Sequence, residues 1–280
     1  MFRLINYFIG FIVIYLFILE AGMQDHAIII TGLTLSVLVA FIAFFGNWIT
    51  LDATKAVILL GTIVLGFAGW ITAFAVLFFF ISGSLLTRKK RVSNVVEDIK
   101  RYLPQHLQKR RDGYQVWANG FWLAMFCIGW FIFTNEAYLV AAFAALATAT
   151  ADTWATEMGT IKPGKTIKIT TLKVTDPGTD GGISLKGTAA AIVGSLVISS
   201  VLIFGNLAVS GSVLWIVFLF GIAGCFIDSV IGGLFSDRNI TINIPNDYSG
   251  SRESFTNSFV NWASTGISGL LALITAQLLL

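Results

Sequence analysis

Long runs of apolar residues recur along almost the whole chain, and their length restricts the fold more than any other feature. A helix needs roughly 20 apolar residues to cross a bilayer, and somewhat fewer within a tight bundle. Hydrophobic residues make up 56% of the chain and charged residues 12%, about half the charge of an ordinary soluble domain. We therefore predict an all-α, polytopic integral membrane helical bundle of about nine transmembrane helices, at Leu4–Leu19, Ala27–Ile49, Ala56–Ala68, Trp70–Leu86, Val116–Phe133, Ala137–Ala151, Thr188–Phe204, Val213–Leu234 and Phe259–Leu279.

The third and fourth segments leave two interpretations open. Residues 56–86 form either one long helix or a helical hairpin, and Gly66, Gly69 and Trp70 in the middle favour the hairpin. The Ala-rich sixth segment is expected to be central, because small side chains let membrane helices approach closely.

The distribution of charge also favours nine spans. If Arg3 is cytoplasmic and nine spans alternate, all 18 Lys and Arg residues fall on the inner side, while the outer turns hold only the acids Glu20, Asp25 and Glu136. An eight-span chain would place Arg3 and Lys55 outside. Because basic residues concentrate in cytoplasmic loops, we expect a multi-pass protein of the cell membrane. Its N-terminus and its polar loop site would then face the cytoplasm.

Three carboxylates lie at or within the ends of two distant spans. Asp152 and Glu157 open the longest polar insert, residues 149–187, and Asp228 lies inside the eighth span. An ionisable group at membrane depth normally faces the bundle interior and has a partner. We predict that Asp152, Glu157 and Asp228 bind Mg²⁺, which takes few carboxylates and adds water and phosphate oxygens. The alternative is that Asp152 and Asp228 each pair with a lysine or a backbone amide and only pin helices.

Helix geometry sets a condition on that cation site. Positions five apart on a helix point about 140° apart, so Asp152 and Glu157 share a site only if the helix ends between them. Gly159 allows such an ending.

A glycine-rich turn closes the same insert, after Pro177. Consecutive glycines offer free backbone N–H groups and positive φ angles, and such nests bind anions. We predict that the turn binds phosphate through Gly178, Thr179, Asp180, Gly181 and Gly182. Lys173, just before it, would neutralise a phosphate and act in catalysis with Asp152 and Asp228. The alternative is a plain surface turn. Residues 159–166 also match a P-loop pattern, but a membrane span precedes them where a P-loop needs a buried strand.

Polar side chains also enter two other spans. Gln115 and Asn119 are four residues apart and share one helix face, close to Arg111. We expect these three residues to reach a nucleotide or the cation, with helix capping and packing as the alternative. Asn261 lies on the last span with the same four-residue spacing from Asn257, and it either joins the site or only bridges helices.

The segments ADTWATEMG, KVTDPGTDGGIS, GCFIDSVIGG and NSFVN together resemble one known family. It is the integral-membrane family numbered ninety-two among domains of unknown function, which includes animal transmembrane protein nineteen and the plant and cyanobacterial phytyl-phosphate kinases. GTIVLGFAGW, FFFISGSLLTR and RRDGYQVWANG fit the same pattern. The likeness covers residues 46–280, a catalytic-like membrane domain, and leaves residues 1–45 as an N-terminal two-span segment.

The resemblance implies a membrane kinase that converts an isoprenyl monophosphate to the diphosphate. By motif position it would assign roles to Asp152, Glu157, Lys173, Gly178, Asp180, Gly181, Asp228 and Asn261. The family often has Asn where Asp180 stands. We expect CTP or another nucleoside triphosphate as donor, Mg²⁺ as cofactor, a prenyl-phosphate lipid and the bilayer as partners, and no nucleic acid. The rival hypotheses are a transporter or lipid carrier, and a non-catalytic membrane protein.

Overall fold

The computed structural model describes residues 2–99, 110–161, 164–205, 211–242 and 252–280. Within these residues the chain forms eight α-helices and three short strands. The helices are α1 Phe2–Leu19, α2 Met23–Phe45, α3 Leu51–Ile99, α4 Gly113–Phe133, α5 Glu136–Gly159, α6 Leu185–Val201, α7 Gly211–Asp237 and α8 Arg252–Leu279. The strands are β1 Thr166–Lys168, β2 Val174–Thr175 and β3 Gly182–Ser184. The predicted all-α membrane bundle is confirmed.

Counted by length and apolar character, the transmembrane helices are fewer than the predicted number of about nine. Among the described residues, seven helices are long and apolar enough to cross a membrane. The apolar part of α1, Leu4–Leu19, is shorter than the rest, and a helix of that length falls short of a typical hydrocarbon core. The other difference is that Leu51–Arg88 forms one span candidate where two were expected.

Helix α3 is nevertheless bent back on itself at Gly69. That residue has φ 79° and ψ −176°, which is not helical. A straight helix from residue 51 to residue 88 would be about 57 Å long. Instead the second part of α3 returns to the residues that precede its start. The rings of Trp48 and Phe80 lie 5.7 Å apart between centroids, and Arg88 Nη2 donates to the Gly46 carbonyl at 2.5 Å. The first arm (residues 51–68) and the second arm (residues 70–99) therefore form the hairpin that the glycines favour.

Helix α5 is the centre of the bundle, as its alanines predict. Every residue from Leu139 to Ala151 is buried, and α5 contacts α3, α4, α6, α7 and α8. A helix that is buried all round lies inside a large core. Small residues permit the close packing: a Cβ built on Gly221 would lie 2.6 Å from the Cβ of Ala147, and one on Gly224 would lie 2.2 Å from Thr148 Oγ1.

The strands form a small antiparallel sheet in the order β2-β1-β3 at one end of the bundle. Thr166 pairs with Thr175 across β1 and β2 and with Ser184 across β1 and β3. Residues 166–175 thus form a short β-hairpin. We call this end of the bundle, where α5 and α7 end and α6 begins, the loop end.

Charged residues divide between the two ends. The basic side chains that the structure describes lie at the loop end, at Lys55, Arg88, Arg110, Arg111, Lys165, Lys168, Lys173, Lys186 and Arg238. Glu20, Asp25 and Glu136 lie at the opposite end. The other nine basic residues lie where no side chain is described: Arg3, Lys89, Lys90, Arg91, Lys100, Arg101, Lys109, Lys162 and Arg252.

Candidate functional site

A polar cavity of about 150 Å³ opens at the loop end, between α5, α6, α7 and the turn that precedes β3. Its described lining consists mainly of small and polar residues, with Ile183 and Phe226 besides, and contains no lysine or arginine. Asp180 and Asp228 line it, together with Cys225, Ser229 and Asn257. Among the described residues, the cavity therefore combines acidic side chains with backbone amides.

Asp228 is held at the floor of this cavity by two residues of α8. The Asp228 side chain is only 9% exposed. Its Oδ2 atom accepts a hydrogen bond from Ser264 Oγ at 2.9 Å. With the Asn261 amide oriented by its hydrogen bonds, the amide nitrogen donates to Asp228 Oδ2 and to the Asn257 carbonyl, each at 3.1 Å. Asn261 of α8 thus contacts Asp228 of α7, a contact that fits both sequence interpretations, a site residue and a bridge between helices.

Asp152 on α5 is within electrostatic range of Asp228 on α7, although it does not line the cavity. Their charges interact, and both also act on the thiol of Cys225. The close contact of α5 with α7 at Gly221 and Gly224 brings the two acids together. The structure therefore joins the two carboxylates that the sequence singles out at membrane depth, and it turns both into the bundle.

Glu157 is oriented differently from Asp152. Helix α5 runs unbroken from Glu136 to Gly159, so it does not end between the two acids, and the condition for a shared site is not met. Glu157 Oε1 accepts from Thr87 Oγ1 at 2.7 Å, and its charge also acts on Arg111 and Asp152. Glu157 therefore joins the second arm of α3 to the site and faces about 140° away from Asp152.

The glycine turn forms the roof of the cavity in the predicted conformation. Gly178 has φ 86° and Gly181 has φ 77°, values that favour glycine. The Gly182 amide donates to the Thr179 carbonyl at 2.8 Å. Gly181 packs directly on α7, where a Cβ on it would lie 2.6 Å from Gly233 Cα and 2.9 Å from the Ser229 carbonyl. The charge of Asp180 acts on Asp228, so the turn lies within electrostatic range of the buried acid.

Lys168, and not Lys173, connects the sheet to α7. Lys168 forms an ion pair with Asp237, and Thr170 Oγ1 donates to Asp237 Oδ2 at 2.6 Å. Lys173 is exposed in the turn between β1 and β2, outside the lining of the cavity. Sequence reasoning missed Lys168, Asp237 and Ser264. The sequence signal for Asp237 was weak: Ser236 and Asp237 are polar residues at the end of an apolar helix. Which lysine pairs with Asp237 depends on where the strands lie relative to α7, and the sequence does not show that.

Arg111, Gln115 and Asn119 face a second cavity, which is apolar. The Arg111 guanidinium lies over the rings of Phe79 and Phe80, 5.4 and 6.0 Å from their centroids. Burial lowers the pKa of Arg111 below its ordinary value, and the charge of Glu157 opposes that shift. Asn119 Nδ2 donates to the Gln115 carbonyl at 3.2 Å. The structure thus separates these three residues from the polar cavity, with Glu157 between the two sites.

Asp152 and Asp228 suit Mg²⁺ better than a metal that takes all its ligands from protein side chains. No group of three or more His, Cys, Asp or Glu residues in the described part of the chain could hold an ion. Mg²⁺ is usually bound by one or two carboxylates and completes its shell with water and substrate phosphates. Asp152 and Asp228 fit that requirement.

Comparison with known proteins agrees with this architecture. The model of a family described as integral membrane protein DUF92 matches residues 34–269. The chain is also similar to an uncharacterized membrane protein, MJ0933, of Methanocaldococcus jannaschii, with 29% identity over 226 residues, 77% of this chain and 81% of that protein. No solved structure matches the chain. The matched region runs from α2 to α8 and includes both cavities, and the chain belongs to the DUF92 family of integral membrane proteins.

Proposed function

We propose that this protein is a membrane-embedded kinase that transfers a phosphoryl group from CTP or another nucleoside triphosphate to a prenyl monophosphate. The observation that supports it is the interaction between the acids Asp152 and Asp228, of which Asp228 lines a polar cavity under a glycine turn at the loop end. Two ionised carboxylates close together inside a membrane protein carry a high free-energy cost, which a bound cation would lower.

The chemistry needs little from the protein beyond charge and position. A phosphate-monoester acceptor is already anionic, so its oxygen can attack the γ-phosphorus without a general base. The bond from that phosphorus to the β,γ-bridging oxygen breaks, and the nucleoside diphosphate leaves. The difficulty is to bring two polyanions together, which positioning and electrostatic stabilisation achieve in phosphoryl transfer.

Each residue of the polar cavity has a role in this proposal. Asp152 and Asp228 hold Mg²⁺, which supplies positive charge to phosphate oxygens. Ser264 and Asn261 orient Asp228. The backbone amides at residues 178–182 contact phosphate, as nests do. Glu157 is assigned to Thr87 and Arg111 rather than to the cation, because α5 turns it away from Asp152.

The lack of basic residues in the described lining leads to a further requirement. A nucleotide polyphosphate entering a cavity with acidic side chains is repelled unless a cation is present. We therefore expect nucleotide binding itself to depend on Mg²⁺. In a thermal-shift assay of the full chain, CTP, ATP, GTP and UTP should stabilise the protein with Mg²⁺ and fail to do so with EDTA.

The decisive experiment is turnover by the purified full chain. With geranylgeranyl or phytyl monophosphate, a nucleoside triphosphate and Mg²⁺, we expect the prenyl diphosphate by mass spectrometry. Asp152→Asn and Asp228→Asn should each lower kcat/KM by at least about 100-fold, the scale found when one electrostatic group of a transition state is removed.

The matched control is Glu20→Gln, which removes an exposed acid at the opposite end of the bundle and should leave turnover unchanged. Absence of product across all nucleotides and prenyl phosphates, from protein that melts cooperatively, would refute the kinase. Full activity of both Asp→Asn variants would refute the assigned site.

A further inference from the structure

The second cavity has about 430 Å³ and lies between α2, both arms of α3 and α4. Pockets that bury one small ligand have about 300–1,000 Å³, so this cavity suits a single ligand of that size. Its walls are almost entirely aliphatic and aromatic. Glycines at 32, 61 and 120 let the surrounding helices pack closely, since a Cβ at each would press against a neighbouring helix. From Phe80 to Trp70 the second arm of α3 extends along it for about 15 Å, so the cavity is elongated.

One end of the cavity is polar and cationic. Arg111, Gln115 and Asn119 lie there, at the loop end of the bundle. Arg111 is held from one side by the rings of Phe79 and Phe80. A planar guanidinium pre-positioned in this way binds phosphate through two parallel N–H groups. The polar end thus has the charge and geometry for an anionic head group.

The opposite part of the cavity faces lipid. Trp70 and Phe74 line it and are each 59% exposed, on a helix that the bilayer surrounds. An apolar space that opens toward acyl chains is filled by hydrocarbon and not by water. A ligand can therefore enter from within the membrane while its head group stays at the interface.

We infer that this cavity binds one hydrocarbon chain of a lipid monophosphate, with the phosphate on Arg111 and the tail between α2 and the two arms of α3. The inference rests on the proposed function, for which it defines the acceptor site. Glu157 lies between Arg111 and Asp152, since its charge acts on both. One carboxylate, Glu157, therefore links the proposed phosphate position on Arg111 to Asp152.

Photo-crosslinking tests the site without any turnover. The full chain in nanodiscs is incubated with a geranylgeranyl monophosphate analogue that carries a diazirine at the far end of its chain, with no nucleotide. We expect label on peptides of α2 and α3 between residues 35 and 77, removed by excess geranylgeranyl monophosphate and not by two-chained phosphatidic acid. Label on α6 or α7, or equal competition by phosphatidic acid, would overturn the inference.

Two variants with matched controls sharpen the test. Val39 lines the cavity, while Val37 on the same helix does not and is 46% exposed. Val39→Trp should reduce labelling at least about fivefold by filling the space, and Val37→Trp should leave it unchanged. Arg111→Gln should raise the concentration of geranylgeranyl monophosphate needed to block labelling about tenfold. That is the loss in affinity expected when one hydrogen bond to a charged group is removed. Arg110→Gln, whose side chain contacts Asn47 instead, should not raise that concentration.

The two proposals can fail separately. Labelling in the cavity without turnover by any nucleotide would refute the kinase and support the lipid site. Turnover whose KM for prenyl phosphate is the same in Val39→Trp and wild type would refute the lipid site and support the kinase.

Discussion

Single residues in this protein are constrained mainly where two backbones touch. Gly181 and Gly178 both have positive φ, but their surroundings differ. A Cβ on Gly178 would meet only Thr160 Cγ2, at 3.7 Å, whereas a Cβ on Gly181 would lie 2.6 Å from Gly233 Cα. Gly178 is therefore needed only for its positive φ angle. Gly181 is needed for its φ angle and also because a side chain there would prevent the turn from contacting α7.

This difference predicts unequal costs for the same substitution. Gly178→Ala should destabilise the protein by about 1 kcal/mol, from backbone strain only. Gly181→Ala should cost about 3 kcal/mol, because overpacking against α7 adds to the strain. Melting temperatures of both variants in the same detergent would show which substitution destabilises the protein more. A Gly178→Ala variant that melts at or below the temperature of Gly181→Ala would contradict this contact.

At the scale of elements, the hairpin of α3 decides which residues can meet. The break at Gly69 returns the second arm to the start of the first, so that Trp48, Phe80 and Arg88 converge near Arg111. The same return brings Thr87 to Glu157. Without the fold-back, neither the apolar cavity nor the contact between α3 and α5 at the loop end would exist.

Cysteine cross-linking measures the fold-back directly. In a chain with Cys127 and Cys225 replaced by alanine, Trp48→Cys and Phe80→Cys should be joined by a short bismaleimide, since their rings are in contact. In a straight helix, residues 51 and 80 alone would be about 44 Å apart. The control pair, Trp48→Cys with Phe74→Cys, should stay unlinked. Equal yields from the two pairs would exclude the hairpin.

At the scale of the whole molecule, charge and connectivity determine orientation together. Described basic side chains lie at the loop end, and three acids lie at the other. Asn6 near the start of α1 accepts a hydrogen bond from Trp117 near the start of α4, at 2.8 Å, so α1 begins at the loop end. In α8, Ser264 contacts Asp228 near the loop end and Ser268 contacts Thr148 deeper in the bundle. The C-terminus therefore lies at the acidic end.

Because cytoplasmic loops carry the excess of Lys and Arg, we expect the loop end to face the cytoplasm. In a bacterial host, alkaline phosphatase fused after Leu280 should be active, whereas the same enzyme fused before Met1 should be inactive. Green fluorescent protein at the two positions should give the reverse pattern. Both termini on one side of the membrane would contradict the bundle, and an inverted pattern would contradict the orientation.

Much of this protein is determined by its sequence alone. Apolar runs predict where the helices lie, because the bilayer forces each backbone group to form hydrogen bonds within its own segment. The helix ends are predicted less well, since α3 continues 13 residues past Leu86 to Ile99 and α5 continues 8 residues past Ala151 to Gly159. The alanines of α5 predict its central position, Gly69 predicts the hairpin, and Gly178 and Gly181 predict the turn, since in each case the residue type allows few alternatives.

Only the tertiary structure decided which side chains face one another. Whether Glu157 accompanies Asp152 depends on where α5 ends, and the helix continues through both. Lys168 rather than Lys173 reaches α7, and Gln115 and Asn119 turn toward an apolar cavity. These outcomes depend on the rotation and depth of neighbouring helices, which are set by many small packing contacts. Such contacts leave no local pattern in the sequence.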